Sequence, residues 1–291
     1  MIRGPALSNP ILSNGAAWPH CGLPMLASAW FHIKIWVFYV AQFLKRRMIY
    51  RMDFVAGLAA DFTLQFVNLL FIFVIFQKVP DLRGWQRDEV LFIYGLAIMS
   101  YGLFHSFFSN IYYLGNTYIV EGNMDRVLLR PLNPLFQVYA ERVDVEDAGE
   151  VLLGAVLVAY ARYNLGLEWT VMHFVALPLF VVLGVMVFLG VFTALASAGF
   201  WFVDRVGLLP PVYNMMAFGR YPVTIYHPLL RFLLSWIIPF AFVGFFPSTW
   251  FLGRTDYFGY FVVTPIVSLA AFGVGCALFH AGLRRYESTG S

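Results

Sequence analysis

The chain has 291 residues, of which 60% are hydrophobic and 12% charged, and a formal net charge of +3. That leaves too little polar surface to coat a water-soluble globule, so the composition points to the bilayer. The basic residues sit in short clusters between apolar runs, which argues against a nucleic-acid partner, and the two cysteines, Cys21 and Cys276, exclude a disulfide framework or Cys-rich metal motif.

Residues 1–28 are rich in Gly, Pro, Ser and Asn and lack the apolar core of a cleavable signal peptide, so a disordered lead-in is expected. Residues 29–50, AWFHIKIWVFYVAQFLKRRMIY, are aromatic and aliphatic but broken by His32, Lys34, Gln42 and the cluster Lys45, Arg46 and Arg47. Those groups are costly at a bilayer centre, and an amphipathic helix lying in the interface is expected, with a seventh span as the rival reading.

A transmembrane helix needs roughly 20 apolar residues to cross about 30 Å of hydrocarbon. Six stretches qualify: 54–76, 90–113, 151–165, 171–203, 229–246 and 257–283. With the N-terminus inside, only Lys78, Arg83, Arg87, Arg162 and Arg254 of the 19 Lys and Arg residues fall outside. Positive residues are retained in the cytoplasm, so both termini are expected there. The segment 210–231, which mixes prolines with amphipathic stretches, reads as an interfacial elbow, and 247–256 as an outer loop.

In the first span Asp61, Gln65 and Asn68 fall at i, i+4 and i+7 and share one helical face, with Asp53 two turns earlier. A polar stripe in hydrocarbon lines a substrate path or clamps neighbouring helices by hydrogen bonds. Partners for a clamp stand on the second span at His105, Ser106 and Asn110. The loop 120–150 then offers Asn-Met-Asp as a helix start and Pro131 and Pro134 as stops, so a short helix, a turn and a second helix are expected.

The sequence holds no G-x-x-x-x-G-K-[ST] loop, H-E-x-x-H or G-x-S-x-G motif, and Lys34, Lys45 and Lys78 follow no glycine-rich turn. The chain is not expected to be an enzyme or to hydrolyse ATP by itself. An acidic run, Glu141, Asp144, Glu146, Asp147 and Glu150, has no histidines beside it and is expected to pair with arginines or stay solvated.

Residues 122–137 (GNMDRVLLRPLNPLFQ), 218–247 (FGRYPVTIYHPLLRFLLSWIIPFAFVGFFP) and 283–291 (LRRYESTGS) resemble signature segments of ABC-2 family transporter permeases. The resemblance implies an all-α polytopic permease with type-2 ABC exporter architecture, about six transmembrane helices preceded by the interfacial helix. It implies a bacterial-type plasma membrane and outward movement of a hydrophobic or amphipathic substrate between two permeases, along a path lined by the first, second and fifth spans. ATP and Mg would be bound by separate cytoplasmic ABC ATPase subunits, with no cofactor on this chain and membrane lipids around it. The ATPase-coupling loop would comprise Asp125, Arg126, Arg130, Pro131, Leu132, Asn133 and Pro134, with the two arginines offered to carboxylates of the partner or to phospholipid. Lys45, Arg46 and Arg47 would dock beside the ATPase. The segment with Pro239, Phe245, Phe246, Pro247 and Trp250 resembles the gate helices of such exporters. The rival functions are an ion-coupled secondary transporter, which requires ionisable residues near the midplane and inverted repeats, and a lipid-modifying membrane enzyme.

Overall fold

A computed structural model describes residues 25–49, 51–202 and 209–288. Residues 1–24 of the expected lead-in lie outside them, and the last four of its residues already belong to a helix. The described chain is helical, with one isolated bridge between Leu82 and Trp85. Four stretches are long and apolar enough to cross a bilayer unaided: Phe54–Lys78, Arg87–Val120, Val171–Phe200 and Thr255–Leu283.

Helix α1 (Met25–Ile49) is not one of them. It turns Trp36 onto Phe107 with ring centroids 5.0 Å apart and leaves Trp30, Val37, Phe38 and Leu44 exposed. Helix α2 (Arg51–Lys78) is the first span, and most of its surface faces outward. Helix α3 (Arg87–Phe108) continues through a 3-10 turn and a π-helical turn to Val120, and is the most buried span. Two short helices follow, α4 (Met124–Leu128) and α5 (Pro134–Ala140), then α6 (Ala148–Asn164) and α7 (Val171–Ser197). Helix α7 ends short of the expected boundary, and Val203 lies outside the described residues.

Two glycine-mediated pairs hold the bundle together. Helix α6 runs antiparallel to α3, where a Cβ on Gly154 would stand 2.6 Å from the Gly95 carbonyl oxygen. Helix α7 runs parallel to α11 (Phe258–Leu283), where a Cβ on Gly275 would stand 2.5 Å from the Gly190 carbonyl oxygen. Helices in lipid gain little from burying apolar surface against each other, so close backbone approach over small residues supplies the packing energy.

The chain between α7 and α11 departs from the expectation of an elbow followed by a straight fifth span. Helix α8 (Leu209–Met215) and the irregular residues after it climb along α3. Tyr213 packs on His105, Arg220 lies over Tyr101, Tyr221 approaches Tyr94, and Thr224 accepts the indole N–H of Trp85 at 2.9 Å. That climb matches the stretch of α3 from His105 to Arg87, roughly 27 Å at the helical rise, so this segment makes the fifth crossing. Expected 229–246 is instead part of a bent pair, Pro228–Ile237 and Phe240–Phe251, with a 74° break. Both ends of the pair stand at one end of the bundle. Arg231 binds the Thr224 carbonyl at 3.0 Å, and Arg254, just past α10 (Phe245–Phe251), binds Glu89. The pair includes α9 (Pro228–Phe232) and is re-entrant, with Phe240 reaching Phe188 and Phe192 at its deepest point. Among the described residues it is thus the proline-containing segment, not 229–246, that runs the length of α3.

Candidate functional site

The α4–α5 hairpin is braced from several sides. Gly122 turns the chain at φ +76°, a conformation few side chains tolerate, and Asn123 donates to the Thr117 carbonyl at 2.8 Å. Met124 and Val127 face inward. Asn133 caps α5 by accepting the Phe136 N–H at 3.1 Å, and Pro134 takes the first helical position, where its missing N–H costs nothing. Buried Gln137 donates to the carbonyls of Val127 at 3.1 Å and Leu132 at 3.0 Å, tying the two short helices together. Tyr139 shares a 2.6 Å hydrogen bond with Thr193 of α7, and Ser288 donates to Asp125 at 2.6 Å.

The two loop arginines have partners within the chain. Arg126 pairs with Glu141 at 2.9 Å, and Arg130 donates to Tyr39 of α1 at 3.3 Å. At the tip of the hairpin, Leu129 is 85% exposed, beside exposed Pro131. Leu129 was not among the expected coupling residues, and no feature of the apolar run around it marks it out. Lys45 of α1 is exposed, and the side chains of Arg46 and Arg47 lie outside the described residues.

The polar stripe of α2 is a clamp at Gln65 but not with the expected partners. Buried Gln65 donates to Glu150 of α6 and accepts from Tyr94 of α3 at 2.6 Å, joining three spans. His105 instead meets Tyr112 at 3.2 Å, and Asn110 donates to Tyr118 at 2.7 Å. Asp61 lines one crevice with Glu146 and Glu150, whereas Asn68 stands half-buried further along; the side chain of Asp53 lies outside the described residues.

The acidic run divides. Glu141 and Asp144 pair with Arg126 and Arg142, as expected, but Glu146 and Glu150 are buried against α2 rather than solvated. Arg220, expected in an interfacial elbow, stacks on Tyr101 with its guanidinium 4.3 Å from the ring centroid. In a low-dielectric site a cation over an aromatic face gains on the order of 2 kcal/mol.

Asp147, just ahead of α6, has its carboxyl pushed up to about 7, first by burial and then by Asp61, Asp144 and Glu146. A raised carboxyl binds its proton more tightly in the folded chain, so the stability it confers is present at acid pH and lost as pH rises toward 7. Asp147→Asn should therefore raise the thermal midpoint by about 2 °C at pH 8 and leave it unchanged near pH 4, read by a thermal-shift series.

At the opposite end, the re-entrant pair is an aromatic wedge. Phe246 stacks on Tyr260 at 4.3 Å, and Trp250 on His173 at 4.4 Å and on Phe261 at 4.9 Å. Such stacks bind the pair to the first turns of α7 and α11. Phe245 adds an edge contact to Trp85 at 5.3 Å, and Pro239 and Pro247 are buried.

A family model described as ABC-2 family transporter protein matches residues 62–290, more than half of the chain. No curated protein and no solved structure matches the chain.

Proposed function

The chain belongs to the ABC-2 transporter family, and on that premise we propose that this permease is the membrane half of an exporter driven by separate cytoplasmic ATPases. In this reading the α4–α5 hairpin, α1 and both termini face the cytoplasm. A second permease, of the same or another kind, completes the path for a hydrophobic or amphipathic substrate. The observation that carries the proposal is a rigid hairpin ending in an exposed leucine. A braced knob transmits displacement, and Leu129 at its tip has the shape of an anchor for an apolar pocket on a partner. Arg126 and Arg130 would act behind it, orienting the hairpin through Glu141 and Tyr39.

Co-purification in mild detergent tests this. The wild-type chain should bring down an ABC ATPase with vanadate-sensitive ATP turnover. Leu129→Asp should weaken that association about thirtyfold, since losing a buried leucine costs about 2 kcal/mol, while membrane insertion is unchanged. A stable chain that transports without any ATPase would overturn the proposal.

One observation favours a second reading, ion-coupled transport: Asp61, Glu146 and Glu150 share a crevice between α2 and α6. Uptake or efflux in reconstituted vesicles driven by a proton gradient alone would select it over the ATP-driven machine.

A further inference from the structure

A polar cavity of about 440 Å³ opens beside the hairpin, within the range of small-molecule sites. Phe43 of α1, Tyr113 and Thr117 from the end of α3, and Arg126 and Arg142 line it, together with the carboxylates of Glu141 and Asp144. We infer that this cavity receives the phosphate headgroup of a phospholipid and thereby ties the hairpin to the bilayer; its assignment to the cytoplasmic leaflet rests on the orientation proposed above.

The charges inside are unequally satisfied. Glu141 accepts from Arg126 and from Tyr118, and Asp144 accepts from Ser109 at 2.9 Å and from Arg142 at 2.8 Å. The carboxylates are the more enclosed members of each pair, with 25% and 15% side-chain exposure against 57% and 42% for the arginines. A guanidinium carries five N–H donors. Among the described residues Arg126 engages one nitrogen, and Arg142 engages two, on Asp144 and on Tyr113 at 3.0 Å. The acids therefore fix the guanidiniums at the cavity wall, with N–H donors to spare. Two planar donors converging on one space suit a phosphate.

The surroundings supply the remainder of a lipid. Phe43 brings an apolar wall, and Val37, Phe38 and Leu44 on the same helix stay exposed as a surface for acyl chains. A free phosphate ion would have no use for that wall. The cavity also spans α1 and the hairpin, which Arg130 and Tyr39 already join.

Native mass spectrometry of the delipidated chain tests the inference, with dioleoylphosphatidylglycerol, dioleoylglycerol and inorganic phosphate as probes. The phospholipid should be retained about tenfold more tightly than the diacylglycerol. Arg142→Gln should abolish that preference, and so should Thr117→Trp, which fills the cavity without removing a charge. Equal retention of the two lipids, or an unchanged preference in a folded Thr117→Trp chain, would overturn the inference. Displacement of the lipid by equimolar inorganic phosphate would overturn the lipid assignment in favour of a free-anion site. No ATPase is present in the measurement, so its failure is distinct from failure of the coupling reading, which Leu129→Asp probes.

Discussion

Gly275→Ala is expected to destabilise the protein by about 3 kcal/mol, because the added methyl meets the backbone of α7 rather than a movable side chain. A Cβ there would stand 2.5 Å from the Gly190 carbonyl oxygen and 3.0 Å from the Gly190 Cα. The two parallel helices would have to separate along their length, and the contacts of Phe180 with Phe261 and of Phe200 with Phe279 would loosen with them. Gly273 lies on the same helix with nothing within 4 Å of an added Cβ. Gly273→Ala should be neutral or stabilising by up to about 1 kcal/mol through helix propensity. Thermal unfolding of the two variants in one detergent gives the comparison. Equal behaviour would refute close α7–α11 packing.

Gln65→Leu is the second large effect. It would leave Tyr94 without its acceptor and Glu150 without its donor, both buried among three spans. Interhelical hydrogen bonds in membranes average only about 0.6 kcal/mol, but stranding a buried carboxyl costs on the order of 3 kcal/mol. The loss should therefore exceed the worth of the bonds themselves. Adding Glu150→Leu to Gln65→Leu should recover most of the stability, since the orphaned acid is gone. A double-mutant cycle on thermal midpoints reads this directly. Simple additivity of the two changes would contradict the clamp.

The hairpin illustrates what is legible from residue types alone. Asn-Met-Asp, the two prolines and the following apolar spacing announce a short helix, a turn and a second helix, and α4 and α5 appear where expected. Capping and proline effects act within a few residues, so they survive any tertiary arrangement. The exposure of Leu129 was not legible, because a leucine in an apolar-periodic run looks the same whether it faces a core or a partner.

Four spans were also determined by the sequence, since about 20 consecutive apolar residues have few alternatives to crossing a bilayer. The fifth crossing was decided only by the tertiary structure. Within 229–246 the residues from Pro239 onward are buried against aromatic rings of α7 and α11, whereas Leu229, Phe232, Trp236 and Ile237 stay exposed, and hydropathy does not distinguish the two. The true crossing carries Pro210, Pro211, Asn214, Arg220 and Pro222, each of which argues against a span when read alone. Irregular backbone and a buried cation persist at membrane depth where protein encloses them. Here Tyr94 and Tyr101 hold Arg220, which stands well over a hundred residues away in the chain. The same holds for Gln65: its face on α2 follows from helical periodicity, but its partners on α3 and α6 exist only once three helices are packed. The sequence by itself determined an all-helical membrane chain, its main spans and its hairpin through local and compositional physics. Which segment crosses fifth, and which polar groups pair, required contacts between residues distant in sequence, and those only packing supplies.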